Sequence, residues 1–242
     1  MRHLVLFDID GTILRTGGAG LDAMRAALVD TFGTSGDPEY RYDGRTDPQI
    51  ARELMRGAGV DDETITARMP MLLRRYTDGL VARLAEPERH VSMYPGVAAL
   101  IDAVDAHPDM MLGLLTGNVD RGARLKLGAV GLDFDRFRVN AFGSDSEVRA
   151  QLPAIAHARM REVTGIDLAG SDVVVIGDTP ADIACGRDLG ARAIAVATGR
   201  YSVEELAAHA PYAVFEDLGD TDAVMAAIEG RVGAESPQSV ER

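Results

Sequence analysis

Four apolar residues, Leu4 to Phe7, run directly into Asp8-Ile9-Asp10-Gly11-Thr12. A short apolar run closed by a turn signal is the pattern of a buried parallel strand. Such strands seldom end in paired carboxylates. While the backbone stays extended, residues two apart share a face, so Asp8 and Asp10 point the same way. Two like charges this close raise each other's pKa unless a cation lies between them. The pair therefore implies Mg²⁺, a hard cation that takes carboxylate oxygens and keeps several waters. Gly11 permits a turn that a Cβ would hinder. An Asp-Gly turn at a strand end is common by itself, and the reading depends on matching pieces downstream.

The chain splits into two patterns. Residues 16–88 show helical spacing and no clear strand. A flexible run, Thr16 to Gly20, precedes a helix from Leu21 to Phe32. Asp47 reads as the N-cap of a helix reaching about Arg56, with Pro48 at its first position. Asp61 or Asp62 caps the next segment, and Pro70 starts a fresh helix to about Ala85. After Tyr94 the pattern becomes strand–helix alternation, with strands at Met110–Thr116, Arg138–Phe142, Val173–Gly177, Ala193–Ala197 and Tyr212–Phe215. Helices fall between them, including a long one from Arg149 to Thr164. This alternation predicts an α/β fold with a parallel sheet covered on both faces. The expected organisation is a Rossmann-like core from residues 1–15 and 89–230, an inserted all-helical cap over 16–88, and a loose tail over 231–242.

Ligands of open parallel sheets bind at the carboxyl ends of strands. Three such ends carry polar residues: Asp8-Ile9-Asp10-Gly11-Thr12, Thr116-Gly117-Asn118, and Gly177-Asp178-Thr179-Pro180-Ala181-Asp182. In identity, order and spacing these pieces resemble the motifs of the haloacid dehalogenase superfamily. Within it, the chain most resembles phosphoglycolate phosphatase-like members with a helical cap between the first and second motifs.

The resemblance implies a Mg²⁺-dependent phosphatase acting on a small phosphate monoester, with phosphoglycolate as first substrate. Asp8 matches the nucleophile that forms an aspartyl-phosphate, and Asp10 the general acid/base. An aspartate at the Asp10 position separates phosphatases and phosphomutases from the family's dehalogenases. Asp178 matches a metal ligand, together with Asp8 and the backbone carbonyl of Asp10, and Asp182 a supporting group behind the metal. Thr116 matches the hydroxyl that binds the transferring phosphoryl group, aided by the loop around Gly117. Asn118 is placed to orient substrate or Asp8.

One position departs from the pattern. Where the family usually has a lysine near the nucleophile, this chain has Arg149, whose guanidinium stays charged and binds oxyanions. Lys126, the one lysine among 25 basic residues, is the alternative cation and reads as a solvated helix face. In the cap, Arg45 and Thr46 precede a helix N-terminus, which favours anions. Arg45 is the candidate for a substrate carboxylate or second phosphate, against plain helix capping by Thr46-Asp47-Pro48. The five histidines show no ligand spacing.

The net charge of −13 argues against nucleic acid and anionic membrane as partners. A single cysteine, Cys185, excludes an internal disulfide and suits a reducing, cytoplasmic setting. The expected partner is a small phosphorylated metabolite, and the expected state a monomer or homodimer. Two rival functions share the sequence features. One is a sugar phosphomutase, which keeps both aspartates and the cap. The other is a phosphate-ester binding module with weak turnover, motivated by Arg149.

Overall fold

The computed structural model describes residues 1–231. The tail expected over 231–242 lies outside the described residues except for Arg231.

Strand β1 (His3–Phe7) is central in a six-stranded sheet. It pairs in parallel with β4 (Met110–Thr116) on one side and β6 (Val173–Gly177) on the other. Beyond β4 lies β5 (Val139–Phe142), and beyond β6 lie β7 (Arg192–Val196) and β8 (Ala213–Phe215), all parallel. All seven residues of β4 and all five of β6 are buried, which explains their continuous apolar runs. One face of the sheet packs on α4 (Val97–Ala106) and α9 (Thr221–Ile228), which share a cluster with Val5, Phe7, Leu112 and Val174. The other face packs on α6 (Leu152–Thr164) through Leu4, Leu6, Val173 and Val175. Phe7 lies beside Leu114 on β4 and Ile176 on β6. That register sets the three polar strand ends side by side.

The helical insertion leaves and re-enters the core through a two-stranded antiparallel ribbon. Its strands are β2 (Leu14–Arg15) and β3 (Ser92–Met93), too short to leave a readable alternation in sequence. Between them lie α1 (Ala19–Phe32), α2 (Asp47–Gly57) and α3 (Asp62–Leu84). Their apolar faces form a separate cluster with Met24, Leu28, Leu54, Ile65, Leu72 and Tyr76. Val119, from the loop after β4, joins that cluster.

Two expectations need correction here. Pro70 does not begin a new helix; α3 runs through it. Pro70 is exposed, while Ile65, Met69, Leu72, Tyr76 and Leu80 continue one buried stripe past it. Packing along that stripe outweighs the hydrogen bond that proline removes. Nor is Asp47 the N-cap of α2. Thr46 caps it, accepting from the Gln49 N–H at 3.2 Å. The Asp47 side chain is thereby free for another partner.

Candidate active site

At the carboxyl end of β1 the chain turns over Gly11, whose φ is +85°. A Cβ there would lie 2.2 Å from Asp178 Oδ2. The glycine thus permits both the turn and the close approach of the β6 loop. Asp8, Asp178 and Asp182 converge, with one oxygen of each within 4.8 Å of the others. All three are buried. Burial pushes the Asp8 carboxyl up to about 6; Arg149 pulls it down, and Asp182 and Asp10 push it up. Burial, with the charges of Asp182 and Asp8, holds Asp178 well above the usual carboxylate range.

Two side chains secure this cluster from behind. Asp182 lies on the first turn of α7 (Pro180–Cys185), in a capping box with Thr179. Its Oδ2 accepts from the Thr179 N–H at 3.0 Å and the hydroxyl at 2.7 Å. Its Oδ1 accepts from Arg149 Nη2, which also lies 3.2 Å from Asp8 Oδ2. Burial opposes the charge of Arg149, but Asp182 and Asp8 outweigh it and raise the guanidinium above its ordinary value. Arg149 Nε is buried and has no hydrogen-bond partner among the described residues: one nitrogen of the fork serves both carboxylates. Asp182 accepts three hydrogen bonds, which leaves Asp8 and Asp178 the freer carboxylates for a cation. Thr12 donates to Asp178 Oδ1 at 3.1 Å. A Cβ on Gly199 would fall 1.8 Å from Asp178 Oδ2, so backbone closes the space beside that oxygen. Buried carboxylates with raised pKa values suit a hard divalent cation, which relieves their repulsion.

A second network holds Asp10. Its Oδ2 accepts from Asn118 Nδ2 at 2.7 Å and from Lys126 Nζ at 2.5 Å. Lys126 also donates to Asn118 Oδ1 at 2.6 Å, and Asn118 donates to Thr116 Oγ1 at 2.8 Å. Lys126, on α5 (Asp120–Ala129), is only 4% exposed. The expectation of a solvated helix face is therefore wrong. The inward face of α5 carries the ammonium to Asp10, and Gly20 leaves room for it: a Cβ there would meet Nζ at 3.4 Å. Asn118 contacts Asp10 rather than Asp8.

The cap closes over these groups through Arg45-Thr46-Asp47. The Asp47 N–H donates to Gly117 O at 2.8 Å, and Asp47 Oδ2 accepts from the Val119 N–H at 2.9 Å. Thr46 Oγ1 donates to Glu147 O at 2.8 Å. Any Cβ on Gly117 would sit 2.1 Å from Arg45 O. Asp47 is buried and shares a hydrogen bond with Tyr76. Between cap and strand ends lies a cavity of about 240 Å³, reached by Asp8, Asp10, Thr116, Asp178, Tyr42 and Tyr76.

A family model described as haloacid dehalogenase-like hydrolase matches residues 5–187. The chain belongs to this family. The match spans all three strand-end motifs, Arg149 and the helical insertion. Solved structures share the fold of this haloacid dehalogenase-like hydrolase at low identity. A predicted phosphoglycolate phosphatase from Haemophilus somnus 129pt is 18% identical at a TM-score of 0.67, covering 93% of this chain and 98% of its own. CbbY from Rhodobacter sphaeroides, in complex with phosphate, is 20% identical at 0.68, covering 91% and 96%. A β-phosphoglucomutase from Clostridium difficile is 15% identical at 0.70, covering 96% and 99%. No curated protein matches the chain.

In this hydrolase the structure gathers Asp8, Asp10, Thr116, Gly117, Asn118, Arg149 and Asp178 around one cavity, with Asp182 behind it. Arg45 reaches the cavity too, with two of its three guanidinium nitrogens engaged elsewhere. Nε donates to Glu53 at 3.3 Å, Nη1 to Arg41 O at 2.8 Å, and the group lies 5.0 Å from the Tyr40 ring centre. Thr46 is spent on capping and on Glu147 O. Sequence reasoning missed Asp47, Tyr76, Thr12 and the true place of Lys126. For Lys126 a signal existed: where 24 of 25 basic residues are arginine, the exception marks a site that needs a compact ammonium.

Proposed function

We propose that this hydrolase cleaves small phosphate monoesters through an aspartyl-phosphate at Asp8. The observation that carries this is the separation of two carboxylates at one strand end. Asp8 sits against Arg149 and Asp178, while Asp10 is held apart by Lys126 and Asn118. Neighbouring aspartates given such different partners have different tasks.

Asp8 attacks phosphorus as the phosphoryl oxygens are held by the Thr116 hydroxyl and loop N–H groups. The bond to the ester oxygen breaks, and Asp10 delivers the proton that releases the alcohol. Asp10 then takes a proton from water, which attacks the aspartyl-phosphate, frees phosphate and restores Asp8. Such acid–base assistance is typically worth roughly 10²–10⁴ in rate. Lys126 and Asn118 both address Oδ2 of Asp10; among the described residues Oδ1 takes no hydrogen bond, which leaves it for proton transfer. Mg²⁺ would be held by Asp8, Asp178 and the Asp10 carbonyl, with Asp182 behind, and would neutralise phosphoryl charge. The cap covers the leaving group and narrows its access to water. Phosphoglycolate, brought forward by the family resemblance, is the reference ester.

The test is phosphate release from p-nitrophenyl phosphate and a panel of small esters, with Mg²⁺ and with EDTA, beside Asp8→Asn. Metal-dependent release, lost in the variant, is expected. Near-wild-type release by Asp8→Asn would remove the mechanism, and a sugar bisphosphate product would point to a phosphomutase.

A further inference from the structure

We propose that the chamber selects esters whose leaving group carries no negative charge: a small alcohol or polyol, rather than a phosphorylated carboxylate or a bisphosphate. The inference rests on the phosphatase reading and names the substrate class for that same site. It departs from the phosphoglycolate expectation.

The charges lining the cavity decide it. Among the described residues, three cationic side chains line it: Arg45, Lys126 and Arg149. Most of their donors are already committed. Arg149 is committed to Asp8 and Asp182, and Lys126 to Asp10 and Asn118. Arg45 is turned to Glu53, the Arg41 carbonyl and the Tyr40 ring. The cap side contributes two further carboxylates instead, Asp43 and Asp47. Among the described residues, Asp43 has one ion-pair partner, Arg200, 3.8 Å away and half exposed. Asp47 is buried against the Val119 N–H and Tyr76.

A substrate carboxylate would therefore meet a lining in which five aspartates, Asp8, Asp10, Asp43, Asp47 and Asp178, outnumber three largely committed cations. Like charge built into a pocket rejects a ligand as effectively as missing contacts do. The larger of the remaining cap side chains on the lining are apolar or aromatic: Leu21, Met24, Ile50, Tyr42 and Tyr76. These surfaces suit carbon and hydroxyl groups. The volume of about 240 Å³ is below the roughly 300–1,000 Å³ of sites for drug-sized ligands. It has room for a phosphate and a few carbons.

The experiment compares two esters of similar size that differ at one end. Phosphoglycolate carries a carboxylate where 2-hydroxyethyl phosphate carries a hydroxymethyl group, and p-nitrophenyl phosphate controls for turnover. The expected kcat/KM favours 2-hydroxyethyl phosphate by about tenfold or more. Asp47→Asn and the more exposed Asp43→Asn should each shrink that preference by improving phosphoglycolate. Calorimetric binding of both esters to Asp8→Asn should rank them the same way. Equal or better use of phosphoglycolate, with p-nitrophenyl phosphate turned over, would overturn the inference and leave the phosphatase reading standing. Absence of turnover on every ester would overturn the phosphatase reading. The binding ranking would then decide the charge preference alone, with equal or tighter phosphoglycolate binding refuting it.

Discussion

Asp47→Asn should stabilise the protein at neutral pH and leave it unchanged in acid. Burial is the main cause that lifts this carboxyl from 3.8 to about 6, with Lys126 and the Val119 N–H pulling against it. Below pH 4 both the folded and the unfolded chain hold the proton, and the residue costs nothing. Between about pH 4 and pH 6 the unfolded chain releases a proton that the folded chain retains, so stability falls as pH rises. Above about pH 6 the penalty is complete. Two pKa units at about 1.4 kcal/mol each give about 3 kcal/mol. Asparagine keeps the oxygen that accepts from Val119 and loses the charge. Urea unfolding of wild type and variant in EDTA, from pH 4 to pH 8, would read the difference directly. The variant's advantage should grow from about zero to about 3 kcal/mol across that range, or about 6–12 °C in Tm for a chain of this size. An advantage that does not vary with pH, or a variant less stable at pH 8, would refute the reasoning.

Other perturbations separate the two networks. Lys126→Met should lower kcat by about 10² with little change in KM, because it removes a donor to Asp10; Lys126→Arg should not restore it, since a planar fork does not fit the ammonium's place. Arg149→Lys should retain most activity, because Nη2 alone makes both carboxylate contacts. Arg149→Met leaves two buried carboxylates without a cation and should cost about 3–5 kcal/mol in denaturation. Gly117→Ala places a Cβ 2.1 Å from Arg45 O; it should push the cap off the loop after β4 and show as a raised KM in steady-state kinetics. Mg²⁺ at a hundred times its dissociation constant should add about 2.7 kcal/mol of stability, and Asp178→Asn should abolish the gain in a thermal scan.

Strands β1, β4 and β6 were legible because full burial leaves continuous apolar runs, each stopping at its polar residues. The three motifs at their ends could be placed for the same reason. The ribbon of β2 and β3 was not, since two residues cannot show a period. Pro70 misled because local propensity says nothing of the stripe that Ile65, Leu72 and Tyr76 share with α1. Asp47 was hidden by its neighbour. An aspartate before a proline looks like a cap, and only the structure shows that Thr46 caps while Asp47 turns to Val119. Lys126 stands ten residues beyond Thr116, and the fold of α5 back over the β1 end brings it to Asp10. The charge of the cap side depended on which arginines were already paired, a fact no spacing reveals.

The central claim is that Asp8 is the group that accepts the phosphoryl. Acid quenching of the enzyme during turnover of p-nitrophenyl phosphate, followed by mass spectrometry of the peptide carrying Asp8, tests it most directly. The account predicts a phosphorylated peptide whose modification maps to Asp8, formed with Mg²⁺ and absent in Asp8→Asn. Turnover with that peptide unmodified throughout, or with the phosphoryl group on another residue, would contradict it.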